Sequence, residues 1–174
     1  MKKHAVLLAT AIGFVGSGAV GVQASTAAPC TITGSAGADL LVGTPGTDVI
    51  CGLGGADVIH GLGGNDLILG GLGNDRLMGG PGDDRIRGSW GNDLLEGKLG
   101  NDVLRGEAGV DRALGGNGGD RLYGGGHRDV LSGGGARDLF FVRDRKRDRV
   151  NGGLGNDCAR ADSVDVLRSV HELF

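Results

Sequence analysis

The sequence predicts an all-β fold, a solenoid of short parallel strands, and three recurrences in fixed phase predict it. An aspartate stands at every ninth residue: Asp39, Asp48, Asp57, Asp66, Asp75, Asp84, Asp93, Asp102, Asp111, Asp120, Asp129 and Asp138. Five residues before each stands a glycine, from Gly34 and Gly43 through Gly52, Gly61, Gly70, Gly79, Gly88, Gly97, Gly106 and Gly115 to Gly124 and Gly133. Two residues after each stands an apolar side chain, from Leu41 and Ile50 to Leu131 and Phe140, with Ala113 the one small member. A turn former, a carboxylate and a core residue at a constant interval describe a repeated unit that buries its apolar face only by stacking on its neighbours.

Taken in order, residues 1–24 read as a secretory signal. Met1, Lys2, Lys3 and His4 make a basic start, and Ala5 to Val22 is apolar but interrupted by Gly13, Gly16, Gly18 and Gly21. A spanning helix needs about 20 apolar residues, so this run is too short and too loosened by glycine to serve as an anchor. Val22-Gln23-Ala24 places cleavage after Ala24, with Thr26-Ala27-Ala28 as the alternative. The expected location is therefore extracellular, with no membrane span after cleavage. Loss of Lys2 and Lys3 takes the formal charge from −3 to −5, which argues against nucleic-acid binding.

Residues 25–33 form an N-terminal cap. An exported chain can hold disulfides, and Cys30 and Cys51 bracket the first turns. In strict register they stand about three strand residues, roughly 10 Å, apart. Their pairing therefore requires the first strand to leave the solenoid. Cys158 is left as the odd cysteine.

Residues 34–141 divide into twelve nonapeptides, of which Gly70-Gly71-Leu72-Gly73-Asn74-Asp75-Arg76-Leu77-Met78 is the most regular. Glycine accounts for 39 of 174 residues, against a usual share of about 7%, but it does not recur every third position, which excludes collagen. A disordered linker would not need an apolar residue every nine. The first six residues of each unit read as turn and the last three as strand, for example Val58-Ile59-His60. Two units then make one coil, and residues eighteen apart lie one above another. Strands about 4.8 Å apart put six coils into a rod of roughly 29 Å.

This stacking gathers the aspartates into two columns, one from Asp39 to Asp129 and the other from Asp48 to Asp138. Like charges at that spacing repel by about 0.9 kcal/mol per neighbour in water, and several times more at a lower effective dielectric. A calcium ion reverses the sign, because it takes six to eight oxygens and glycine-rich turns expose carbonyls to supplement carboxylates. Asx-turns alone would accept asparagine equally, yet every one of the twelve positions is aspartate.

The pattern G-G-x-G-x-D-x-U-x, with U a large apolar residue, resembles the RTX, or haemolysin-type, calcium-binding repeat. The resemblance covers residues 34–141 and resumes at Gly152-Gly153-Leu154-Gly155-Asn156-Asp157. It implies a right-handed parallel β-roll with several calcium ions held between stacked loops. The aspartates above, with Asp157, and the glycine carbonyls from Gly52 to Gly115 are then the metal ligands. His127 and Ala136 replace the fourth-position glycine of their repeats, so the sites at Asp129 and Asp138 are expected to be the weakest.

Residues 142–174 read as a C-terminal cap containing one further repeat at 152–160. Phe140 and Phe141 are expected to cover the last core layer, and the run from Val142 to Asn151 holds one residue too many for the period. Arginines gather at outward positions of even repeats: Arg85, Arg87, Arg105 and Arg121, with Tyr123 among them. They offer a stripe for an anionic extracellular polysaccharide, against the plainer reading of edge protection by charge. Catalysis is not expected, since His60, His127 and His171 are scattered and Ser89, Ser132, Ser163 and Ser169 lie in no nucleophile motif.

Overall fold

A computed structural model describes residues 29–173. The expected signal segment and both expected cleavage positions lie outside the described residues. Those residues form strands and turns, without a helix.

In chain order the strands are β1 (Ile32–Thr33), β2 (Leu40–Val42), β3 (Val49–Gly54), β4 (Val58–His60), β5 (Leu67–Leu72) and β6 (Arg76–Pro81). There follow β7 (Arg85–Trp90), β8 (Leu94–Leu99), β9 (Val103–Ala108), β10 (Arg112–Asn117), β11 (Arg121–Gly126) and β12 (Val130–Gly135). The last are β13 (Leu139–Val142), β14 (Arg149–Leu154), β15 (Cys158–Ala161), β16 (Val166–Arg168) and β17 (Glu172–Leu173). Odd-numbered strands form a nine-stranded sheet and even-numbered strands an eight-stranded one, each in sequence order and all pairs parallel. Ile50 pairs with Ile68, and Ile68 with Ile86, so eighteen residues make one coil as the period requires.

The repeat strands each point one apolar residue into the core, and β13 adds a second, Val142. Ile50, Ile59, Ile68, Leu77, Ile86, Leu95, Leu104, Leu122, Leu131 and Phe140 are at most 1% exposed and meet in a seam between the sheets. Ala113 keeps its place between Leu95 and Leu131. Phe140 is one more layer of this seam and not a lid. Phe141 faces outward and stacks on Tyr123, ring centroids 4.4 Å apart and nearly coplanar at 6°.

Strands are longer and turns shorter than the repeat suggested. Most strands run six residues, because the first residues of the next nonapeptide continue the ladder: Leu53 pairs with Gly71, and Gly71 with Ser89. The second residue of the repeat carries a left-handed φ, +75° at Leu53 and +115° at Gly71, which bends the strand without breaking the pairing. Only the last three residues before each strand, such as Gly73-Asn74-Asp75, form the connecting turn.

The two ends close differently. The Cys30–Cys51 disulfide is formed, with Cα atoms 5.9 Å apart. Its register conflict is resolved before β1, since Ile32 still pairs with Ile50 and Thr31 still donates its N–H to the Val49 carbonyl at 2.7 Å, so the departure is confined to Cys30. At the other end β14 continues the coil, with Val130 paired to Arg149 and Val150 buried. The supernumerary residue lengthens that one coil to nineteen. Cys158 is buried, and the Arg137 guanidinium donates to its Sγ at 3.3 Å.

Candidate metal centre

Stacking brings the aspartates together as two columns along the edges of the rod. From Asp57 onward every aspartate of the series is at most 3% exposed. Each backbone N–H donates to Oδ1 of the aspartate one coil on: Asp57 to Asp75, Asp75 to Asp93 and Asp93 to Asp111, all at 2.8 Å. Oδ1 is thus a rung of the stack.

Oδ2 is not. In Asp57, Asp66, Asp75, Asp84, Asp93, Asp102, Asp111, Asp120, Asp129, Asp138, Asp148 and Asp157 this atom is buried without a hydrogen-bond partner. A buried polar atom left unpaired costs about 1–3 kcal/mol, and more when charged. Twelve of them would consume the roughly 5–15 kcal/mol that holds a typical domain folded. The space around Oδ2 contains another acceptor. A Cβ built on Gly61 would strike Asp66 Oδ2 and lie 2.7 Å from the Gly79 carbonyl oxygen. A Cβ on Gly70 would likewise strike Asp75 Oδ2 and lie 2.8 Å from the Gly88 carbonyl oxygen. The first glycine of each repeat is therefore needed for room, not for backbone freedom. Carboxylate and carbonyl oxygens converging without a donor form a cradle for a hard cation. Among the described residues no three His, Cys, Asp or Glu side chains group closely enough to hold a metal by themselves, so carbonyls are indispensable to any such site.

The family model for the RTX calcium-binding nonapeptide repeat matches residues 31–59, 42–77, 69–104, 105–140 and 145–158. The chain belongs to the RTX calcium-binding repeat family. No curated protein matches it. Calcium is the ion that RTX repeats bind, and the buried carboxylates fit it.

The first two RTX repeats differ from the rest. Asp39 Oδ2 accepts from the Ser35 N–H at 2.6 Å and its hydroxyl at 2.8 Å. Asp48 Oδ2 accepts from the Thr44 N–H at 2.6 Å and its hydroxyl at 2.9 Å. Ser35 and Thr44 hold the second repeat position, where later repeats turn left-handed and carry the N–H away. Asp39 and Asp48 thus have hydrogen-bond donors at the atom that is left without one in the later repeats.

Three carboxylates extend the columns past the regular repeats, the last being Asp165, whose Oδ1 accepts the Asp148 N–H at 3.0 Å. Asp129 donates its N–H to Asp148 Oδ1, and Asp138 to Asp157 Oδ1, both at 2.8 Å. Asp157 was legible from its repeat. Asp148 was hidden in the charged run because the extra residue shifts it out of phase. A fainter signal was available, since Val150 follows it by the usual two residues.

His127 and Ala136 do not disrupt their turns. They adopt the left-handed φ of the glycines they replace, +91° and +77°, and Asp129 and Asp138 keep the same Oδ1 rungs at 2.8 Å. The cost falls on stability, since a non-glycine left-handed residue is disfavoured by about 1–2 kcal/mol. His127→Gly and Ala136→Gly should each raise calcium-loaded stability by about 1 kcal/mol, read as a higher denaturant midpoint at unchanged slope. A lower midpoint in both variants would contradict this account.

Burial pushes the carboxyls up from 3.8, to about 7 at Asp84, Asp93, Asp120, Asp129 and Asp148 and to about 6 at Asp102 and Asp138. Desolvation is the main cause, the N–H from the coil before opposes it, and neighbouring aspartates add to it. The calcium-free fold therefore binds more protons than the unfolded chain between about pH 4 and 7, so its stability falls as pH rises through that window. In chelator, strand signal should be stronger at pH 5 than at pH 8. Calcium competes with those protons, and its affinity should rise over the same interval. A pH-independent calcium affinity from 5 to 8 would refute the assignment.

The arginine stripe lies where expected, on the outer face of the nine-stranded sheet. Arg87 pairs with Arg105, and Arg85 and Arg121 flank Val103. With Tyr123 they line a shallow groove of about 350 Å³. Part of its charge is already engaged: Arg87 Nε meets Glu107 at 3.0 Å, and Arg105 lies over the Tyr123 ring, 4.5 Å from its centroid.

Proposed function

We propose that the protein is a secreted, calcium-loaded β-roll without catalysis of its own, whose folding is coupled to the ion. The observation that carries it is the repeated pairing of an unpartnered Asp Oδ2 with a glycine carbonyl oxygen. Asp57, Asp66, Asp75, Asp84, Asp93, Asp102, Asp111, Asp120, Asp129, Asp138, Asp148 and Asp157 would supply carboxylate oxygens, and carbonyls such as those of Gly70, Gly79 and Gly88 the complement. Ion binding then supplies folding free energy that a glycine-rich chain with a single-file core lacks. The basic, apolar N-terminus supports export. The three histidines considered above sit on separate coils, away from any nucleophile motif, which supports a non-catalytic role. Chelation followed by circular dichroism tests the coupling.

A second reading is an extracellular adhesion module for an anionic polysaccharide. The groove beside Arg85, Arg121 and Tyr123 favours it, and the Arg87–Glu107 pair weakens it.

A further inference from the structure

A second group of arginines lies on the eight-stranded sheet. Arg112 on β10 pairs with Val130 on β12, Val130 with Arg149 on β14, and Arg149 with Val166 on β16. In the adjoining outward column Leu114 pairs with Ser132, Ser132 with Asn151, and Asn151 with Arg168. Arg147, in the turn before β14, completes the lining of a groove of about 560 Å³, and Arg128 with Arg147 and Arg149 borders a second hollow beside it. Arg112 to Arg168 spans three strand spacings, roughly 14 Å.

All five guanidiniums are exposed. None has a carboxylate within ion-pair distance among the described residues. Elsewhere on this face the cations are paired: Arg76 and Lys98 both meet Glu96. Asp148, between Arg147 and Arg149 in sequence, turns its carboxylate inward. A chain of net charge −3 thus concentrates unneutralised arginine in two adjoining hollows.

We propose that this groove binds an acidic polysaccharide, with carboxylate or sulfate groups on successive sugars. The planar guanidinium fork matches either anion in two-point hydrogen bonding. Ser132 and Asn151 on the floor offer neutral partners for hydroxyls, and Leu114, Val130 and Val166 offer apolar contact for the faces of sugar rings. Among the described residues the groove has no aromatic lining residue on which nucleobases could stack. The proposal deepens the adhesion reading and moves its contact from the expected stripe to the opposite sheet.

The test uses the full chain in calcium, with polygalacturonate and dextran sulfate as probes and neutral dextran and duplex DNA as comparators. Calorimetry at low salt should show binding to at least one acidic polymer; which one identifies the anion. The variant Arg112→Ser, Arg149→Ser, Arg168→Ser should bind it about tenfold more weakly or worse, with its calcium-dependent circular dichroism unchanged. Arg85→Ser with Arg121→Ser should bind like the parent. Should the triple variant fail to fold, Arg168→Ser with Asn151→Ala, neither beside an aspartate, takes its place. Parent-like affinity in the groove variant, loss in the stripe variant, equal binding of DNA, or no binding by a parent that folds in calcium would each overturn the proposal. A parent that shows no calcium response would instead indict the folding reading.

Discussion

Stripped of calcium by a chelator, the chain should lose most of its strand signal at pH 7.5 and recover it when millimolar calcium returns. The buried carboxylates are the reason. Twelve Oδ2 atoms have no donor, and the columns that hold them bring like charges within one strand spacing of each other. Without the ion the fold must either protonate these groups or expose them, and at pH 7.5 protonation is incomplete. Magnesium should restore little, because it demands a tight octahedron and releases its waters reluctantly. The same strand spectrum with and without calcium would defeat the claim.

Removing one carboxylate at mid-rod should cost calcium, while removing one at the N-terminal end should not. Asp93→Ala deletes an unpartnered Oδ2 and also the Oδ1 that accepts the Asp75 N–H. It should lower bound calcium by one or two ions per chain and shift the folding midpoint to higher calcium. Asp39→Ala loses only hydrogen bonds to Ser35 and the turn beside it. Its calcium stoichiometry, measured by equilibrium dialysis, should equal that of the parent. Equal ion loss in both variants would show that Ser35 and Thr44 do not substitute for the metal. The ranking expected from the sequence, with the weakest sites at Asp129 and Asp138, is a separate expectation that Asp138→Ala would test by the same measurement.

The nine-residue period was sufficient for the architecture. Because Asp, Gly and an apolar residue recur in phase, any coil of whole repeats stacks like on like, and since one turn and one strand carry the chain half-way round, two repeats make the coil. The two sheets, the seam from Ile50 to Phe140 and the aspartate columns all follow from that. Chemistry added the ion, since aspartate at every position and glycine around it leave carboxylates with carbonyls for company.

Other features depended on contacts between coils, which a period does not encode. Whether the first glycine serves turn or space is decided by the aspartate oxygen five residues on, which occupies the place of its missing Cβ. Whether a carboxylate finds a donor for its second oxygen is decided by the φ of the second residue: Ser35 and Thr44 turn their N–H toward it, and the left-handed residues of later repeats do not. Asp148 became visible as a column member only when the nineteen-residue coil was laid on its neighbour. The groove of Arg112, Arg149 and Arg168 arises in the same way, from residues far apart in the chain that parallel stacking sets on adjoining strands of one face.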